Sequence, residues 1–272
     1  MNKIRHQYMP FMRAGVQNLI AYRMNFIGFL VGGLIYCFVM YYLWEAVFQS
    51  SGGSTFMGFS MIDMTVYLFM SNVAREMTFS GVSDSIGDEI KDGSIAMRLI
   101  KPINTDMSYL CTEIGSSLLK VVVFALPMIL GIEIYRFCVT GTIMFNILNF
   151  LLFLFSVVLA YLISFRVNLC FGFVAFYVKN LWGIGILKNS IINFLSGSLI
   201  PLAFMPDALR CVLEYMPFSS MSYTPVMIYM GKYDTAELLF RLSIQFIWAV
   251  ALYALSKLIW SRAVKKLCVQ GG

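Results

Sequence analysis

The side chains able to do chemistry are few and unevenly placed. Ten charges lie between Arg75 and Asp106, and the acids Asp84, Asp88, Glu89 and Asp92 are the densest group. Acids alone can bind cations or exchange protons, but this group has no histidine near it. The one histidine is His6, so a histidine-based metal site or histidine-dependent catalysis deeper in the chain is excluded. Six cysteines (37, 111, 138, 170, 211 and 268) are scattered without a C-x-x-C pair. They read as small apolar side chains, and no metal site is expected. No G-x-x-x-x-G-K-[ST] loop occurs. The nearest string, Gly183 to Ser190 through Lys188, has the wrong spacing and follows no strand. No Ser/His/Asp set is present. Uphill work by this chain therefore needs energy from a partner or an ion gradient.

A second set of charges is isolated in apolar surroundings. Lys120 and Arg166 each interrupt a long apolar run, and Asp63, Arg75 and Glu76 bracket another. Counted from the expected span ends, Lys120 and Arg166 each lie roughly 18 Å along their helices, where a charge costs several kcal/mol unless paired or hydrated. Two readings stand. They line an aqueous path that attracts an anionic or zwitterionic headgroup, or they pair with acids such as Glu113, two turns below Lys120 on the same face. The segment bounded by Asp63 and Arg75 is expected to face a seam or the path.

The elements that must carry these charges are membrane helices. Of 272 residues 60% are apolar and only 12% charged, and mean hydropathy is +0.78. A soluble core of this size could not hide so much apolar surface. The excess of 20 Lys and Arg over 14 Asp and Glu forms no aromatic-interleaved patch, so nucleic acid is not an expected partner; anionic membrane lipid is. Residues 1–23 resemble an amphipathic interfacial helix, bent or restarted at Pro10, rather than a signal peptide. Six spans are expected: 24–80 holds two, 108–200 three and 236–260 the last. They are joined by a polar loop at 81–107, a short turn at 136–141 and an outer region at 201–235, with a basic tail at 261–272. The run 145–178 reads as one long helix or as two pieces broken at Arg166. In the outer region, Pro201, Pro206 and Pro217 bracket an amphipathic stub. Its apolar stripe is Leu209, Val212, Leu213 and Met216, and its polar side is Asp207, Arg210 and Glu214. With both ends inside, fourteen of the 20 cations fall on inner segments, which favours cytoplasmic termini.

Several strings carry a family resemblance. Ile86-Gly-Asp-Glu89-Ile-Lys-Asp-Gly93, running on to Lys101-Pro102, resembles the cytoplasmic loop of type-2 ABC exporter permeases. Leu195-Ser-Gly197 through Pro201 and Pro206, then Pro217-Phe and Tyr223-Thr-Pro225, resembles the outer end of that family's fifth span and its re-entrant helices. Together the strings most resemble a bacterial subgroup in which two permease genes often accompany one ATPase gene.

The resemblance implies an all-α membrane protein of six spans. It would have an N-terminal interfacial helix, a coupling helix between spans 2 and 3, and re-entrant helices between spans 5 and 6. It also implies separate ATPase subunits that hold ATP and Mg²⁺, a second permease, identical or a sister, and a place in the bacterial inner membrane. Ser85, Asp88, Glu89, Lys91, Gly93, Lys101 and Pro102 would form the ATPase contact. Asp63, Arg75, Lys120 and Arg166 are the candidate substrate path, and Pro201, Pro206 and Pro217 the outer gate. The expected cargo is an amphipathic, lipid-like, drug or peptide molecule moved outward. The rival readings are an ion-coupled carrier using Asp63 or Glu113, and a membrane enzyme acting on lipid headgroups.

Overall fold

The computed structural model describes residues 2–52, 55–142, 145–178 and 182–266. The final residues of the basic tail and Lys179–Asn180 lie outside these. The fold is almost wholly helical. Its helices are α1 (Asn2–Ala21), α2 (Arg23–Ser51), α3 (Met61–Thr78), α4 (Val82–Lys91), α5 (Ile95–Ile100), α6 (Thr105–Lys120), α7 (Leu126–Thr140), α8 (Ile147–Gly172), α9 (Trp182–Leu195), α10 (Asp207–Tyr215), α11 (Tyr223–Tyr229) and α12 (Thr235–Ala263). A two-stranded antiparallel hairpin, β1 (Thr55–Phe56) with β2 (Phe59–Ser60), follows α2. Met57 and Gly58 turn it at positive φ.

The chain runs back and forth between two ends of a bundle. One end gathers α1, α4, α5 and the close of α12; the other holds the hairpin, α10 and α11. Among the described residues, four stretches are long and apolar enough to cross a membrane: Leu30–Ser51, Thr105–Thr140, Ile147–Phe176 and Thr235–Ala263. Their outward faces carry large apolar side chains such as Phe38, Leu130, Leu151 and Ile247, as lipid contact requires. The two other expected spans differ from these. Helix α3 carries Asp63, Arg75 and Glu76, and its length from Met64 to Ala74 is buried almost without interruption. Helix α9 has 14 residues, about 21 Å, against the 181–200 expected, because the chain turns at Ser196 and Gly197.

Several boundaries moved for local reasons. Pro10 lies inside α1 without ending it. Helix α6 opens at Asn104, whose side chain accepts from the Met107 N–H. Helix α5 has no counterpart among the expected elements. The expected turn at 136–141 is the last part of α7, which ends at Gly141 with φ 68°. Between α6 and α7 lies one π-helical turn, Val121–Ala125. Pro127, just beyond it, has no N–H and crowds the carbonyl four residues back, and a π turn is a common way to absorb that mismatch. Helix α8 is continuous through Arg166, which decides the 145–178 question.

Two glycines seat α1 on α6. A methyl group on Gly15 would lie 2.0 Å from the Thr112 carbonyl oxygen, and one on Gly115 would lie 2.1 Å from that of Met12. The two backbones touch because each helix presents a glycine to the other. The Asn104 N–H also donates to the Tyr8 hydroxyl at 3.1 Å.

Candidate functional site

Helices α1, α2, α3, α6, α8 and α9 line an open cavity of about 610 Å³ that runs from the α4 end to Ser196, Met221 and Ser222 beside α11. Its polar lining follows helical periodicity. Thr112, Ser116 and Lys120 line it from α6, Ser164 and Asn168 from α8, and Asn189 and Asn193 from α9. Residues four apart share a helix face, so each of these apolar helices turns one polar stripe inward. Asn18 of α1 and Arg75 and Glu76 of α3 complete the polar wall. Leu19, Leu30, Phe124 and Ile192 supply apolar surface between them.

The charges of this chamber differ in how they are held. Arg75 donates to Asn72 Oδ1 at 2.6 Å and lies 3.3 Å from Glu76. Glu113 accepts the Gly81 N–H at 3.2 Å. Lys120 Nζ sits 4.7 Å over the Phe79 ring, and among the described residues no carboxylate lies within 4 Å of it. Aromatic faces stabilise a cation without neutralising it.

Of the four expected path residues, the structure brings Arg75 and Lys120 together here. Arg166 and Asp63 lie elsewhere. Arg166 is buried and donates to Asp106 Oδ2 at 2.9 Å, Lys257 reaches the same oxygen at 2.8 Å, and Tyr253 covers the guanidinium at 4.6 Å. Asp106 is in the first turn of α6, so Arg166 sits level with a helix start instead of at mid-bundle. Helix α8 reaches this level early because Phe173–Phe176 extend it beneath α12, where Phe173 packs on Trp260. Asp63 is at the opposite end, where its side chain closes a capping box with Ser60 and accepts from Lys232 at 3.1 Å.

Helix α4 forms the chamber's rim. Val82, Ser83 and Ile86 are its buried face, and Ile86 fills the space left by Gly172, where a methyl group would lie 2.8 Å from its Cδ1. Ser83 accepts from Lys188 Nζ at 2.9 Å, and the same amine donates to Asn168 at 2.5 Å. The first turn of α4 is thereby tied to α6 through Glu113 and to α8 and α9 through Lys188. Lys188 and the asparagines were not among the expected site residues; Glu113 was named only as an acid near Lys120 or as the proton site of the ion-coupled rival. The i, i+4 recurrence of Thr112, Ser116 and Lys120 was the available signal.

The expected coupling residues divide into two groups. Asp88, Lys91, Gly93, Lys101 and Pro102 are exposed on α4 and the loops around α5. Ser85 is exposed too but lines the chamber. Glu89 turns inward: Arg98 grips its carboxylate, Tyr109 donates to it at 2.5 Å, and Arg98 stacks on the Tyr109 ring at 4.1 Å. This clasp joins α4, α5 and α6. Gly93, at φ 80°, makes the turn between α4 and α5. Hydrogen bonds from Ser94 to the exposed Asp92 carboxyl hold it below the usual carboxylate range. Met97 and Ile100 of α5 are 65% and 78% exposed beside these charges.

At the other end, Pro201 is buried, Pro217 half-buried and Pro206 exposed at the start of α10. The α10 stripe departs from expectation. Leu213 is buried, but Leu209 and Val212 are exposed, and Glu214 is buried. Glu214 goes inward because Arg241 of α12 and Arg210 both bind it. Burial alone would raise this carboxyl; the hydrogen bonds and charges of the two arginines overcome it and hold the group below its ordinary range.

The sequence matches the family described as "ABC-2 family transporter protein" over residues 34–271. No curated protein matches the chain.

Proposed function

The chain belongs to the ABC-2 transporter family, the membrane-spanning permease component of ABC transporters, and on that premise we propose how it works. The polar chamber is the substrate compartment, and the exposed α4–α5 face docks an ATPase subunit that holds ATP and Mg²⁺. The observation that carries this reading is the pair of tethers on the first turn of α4. Through Glu113 and Lys188, the helix that would meet the ATPase is hydrogen-bonded directly to the walls of the chamber. A shift of α4 imposed from outside must pull on those walls, since packed helices move as bodies rather than deform.

Six spans, two of them short or protein-enclosed, accommodate the architecture. Helix α3 is enclosed by protein, so it needs no lipid-facing surface, whereas the short α9 turns Ile186, Leu187 and Ile191 outward and its polar stripe to the chamber. Both termini are cytoplasmic in the inner membrane, the cation distribution supporting this side. A second permease, identical or a sister, completes the transporter. Transport is outward, and its cargo is amphipathic. The ends near Pro201, Pro206 and Pro217 form the outer gate.

Inverted membrane vesicles carrying the chain with its ATPase test this reading. Uptake should require ATP and survive an uncoupler. Uptake that persists without ATP and stops with the uncoupler would establish the ion-coupled alternative, in which the chamber's Glu113 carries the proton.

A further inference from the structure

The chamber contains charges of both signs on one helix face, and two of them, Lys120 and Glu113, form no contact ion pair among the described residues. Lys120 and Glu113 lie seven residues apart on α6, roughly 10 Å along the axis. Lys120 lies over the Phe79 ring and feels Glu76 and Glu113 only at longer range; Glu113 accepts the Gly81 N–H and a hydrogen bond from Ser80. Neither appears in an ion pair among the described residues, whereas Arg75 and Glu76 are already paired to each other. A half-buried lysine and glutamate that reach acids and bases only at longer range are incompletely compensated, and a ligand of matching charge in direct contact would recover part of that free energy.

Resting on the reading of this cavity as the substrate compartment, we propose that it binds the head of a zwitterionic amphiphile, its anionic group at Lys120 and its cationic group at Glu113. A purely anionic head would meet Lys120 but bring its charge toward Glu113 and Glu76. A purely cationic head would face Lys120 and Arg75. A head with both signs satisfies both ends, and the apolar surface of Leu19, Leu30, Phe124 and Ile192 accepts the start of a tail. The asparagines and serines of α8 and α9 hydrate what the charges leave uncovered. Binding also has a consequence outside the chamber. A cation at Glu113 competes for the carboxylate that holds the Gly81 N–H, and so loosens the first turn of α4.

The test uses the purified full-length chain in detergent and four probes: dihexanoyl phosphoethanolamine, dihexanoyl phosphoglycerol, dodecylammonium and free phosphoethanolamine. Titration calorimetry should give the zwitterionic lipid at least about tenfold tighter binding than each of the other three. Glu113→Gln keeps an acceptor for Gly81 and removes only charge; it and Lys120→Met should each weaken the zwitterionic lipid about tenfold. The exchange variant Lys120→Glu with Glu113→Lys should retain it, which separates loss of charge from loss of fold. Equal binding of phosphoglycerol or dodecylammonium would overturn the proposal, as would equal binding of free phosphoethanolamine, which would make the tail irrelevant. Binding of none of the four would also overturn it. Co-purification with an ATPase is read separately: if the partner is present and the preference absent, this inference fails and the compartment reading stands.

Discussion

At the scale of single residues, two lysine- or arginine-type charges that look alike in the sequence do different work. Arg166 is a structural cation: it neutralises Asp106, shares it with Lys257, and is covered by Tyr253. Removing one partner of a buried pair leaves the other uncompensated, at about 3–5 kcal/mol. Because Lys257 still reaches Asp106, Arg166→Met should cost toward the lower end, about 3 kcal/mol, measured by denaturant unfolding in mixed micelles. Lys120→Met should leave the same unfolding curve close to wild type while lowering transport. Glu214 gives a pH prediction. Its folded carboxyl is held below the ordinary range by Arg210 and Arg241, after overcoming burial. Its contribution is therefore complete above the unfolded value of about 4.3 and is lost as pH falls through the depressed folded value. Glu214→Gln should be less stable than wild type at neutral pH, and the gap should close in acid. A gap that persists unchanged at pH 3 would contradict the assignment.

At the scale of elements, helix–helix contact is set by which glycines face a neighbour. Gly15 and Gly115 bring the α1 and α6 backbones into contact, whereas methyl groups on Gly28 or Gly131 would meet nothing within 4 Å. Gly15→Ala and Gly115→Ala should each destabilise by about 1–3 kcal/mol, the usual cost of overpacking. They should also expose α1 to protease, while Gly28→Ala and Gly131→Ala should do neither. The tether through Lys188 predicts a different phenotype. Lys188→Met should assemble and still hydrolyse ATP, but hydrolysis should no longer respond to substrate.

Much at this scale could be read in advance from the residues. The positions of α2, α3 and α12 follow from apolar runs and the charges that bound them, and the family resemblance placed a coupling helix in the polar loop where α4 lies. What was hidden has physical causes. Helix α5 is six residues long, too short for a periodic pattern. The end of α9 depends on the turn at Gly197, where the Tyr67 hydroxyl of α3 binds the glycine carbonyl at 2.5 Å, a contact 130 residues distant. The inward turn of Glu214 and Glu89 depends on arginines elsewhere in the chain, and polar-looking helix faces do not reveal such partners. The identity of Arg166's partner was concealed for the same reason, since Asp106 is 60 residues away.

For the whole molecule, the bundle assembles a polar chamber with a charged helix at its rim and ties the two together. Apolar composition alone required only a membrane. The polar stripes on α6, α8 and α9 turn that bundle into a compartment, and the first turn of α4 connects the compartment to the surface. The clasp of Glu89, Arg98 and Tyr109 stiffens α4, α5 and α6 into one unit at that surface, so force applied at α4–α5 is delivered to α6 rather than dissipated in a loop. Met97 and Ile100 give this unit an apolar contact, and Asp88, Lys91 and Lys101 surround it with charge, a combination suited to an interface.

The central claim is that this end of the molecule meets an ATPase. Photo-crosslinkers placed at Asp88, Lys91 and Met97, and as a control at Val212 of α10, address it directly in native membranes with ATP present. The first three positions should capture a subunit carrying a G-x-x-x-x-G-K-[ST] loop, and Val212 should not. Capture of that subunit from Val212, or capture of no such subunit from the α4–α5 face, would contradict it.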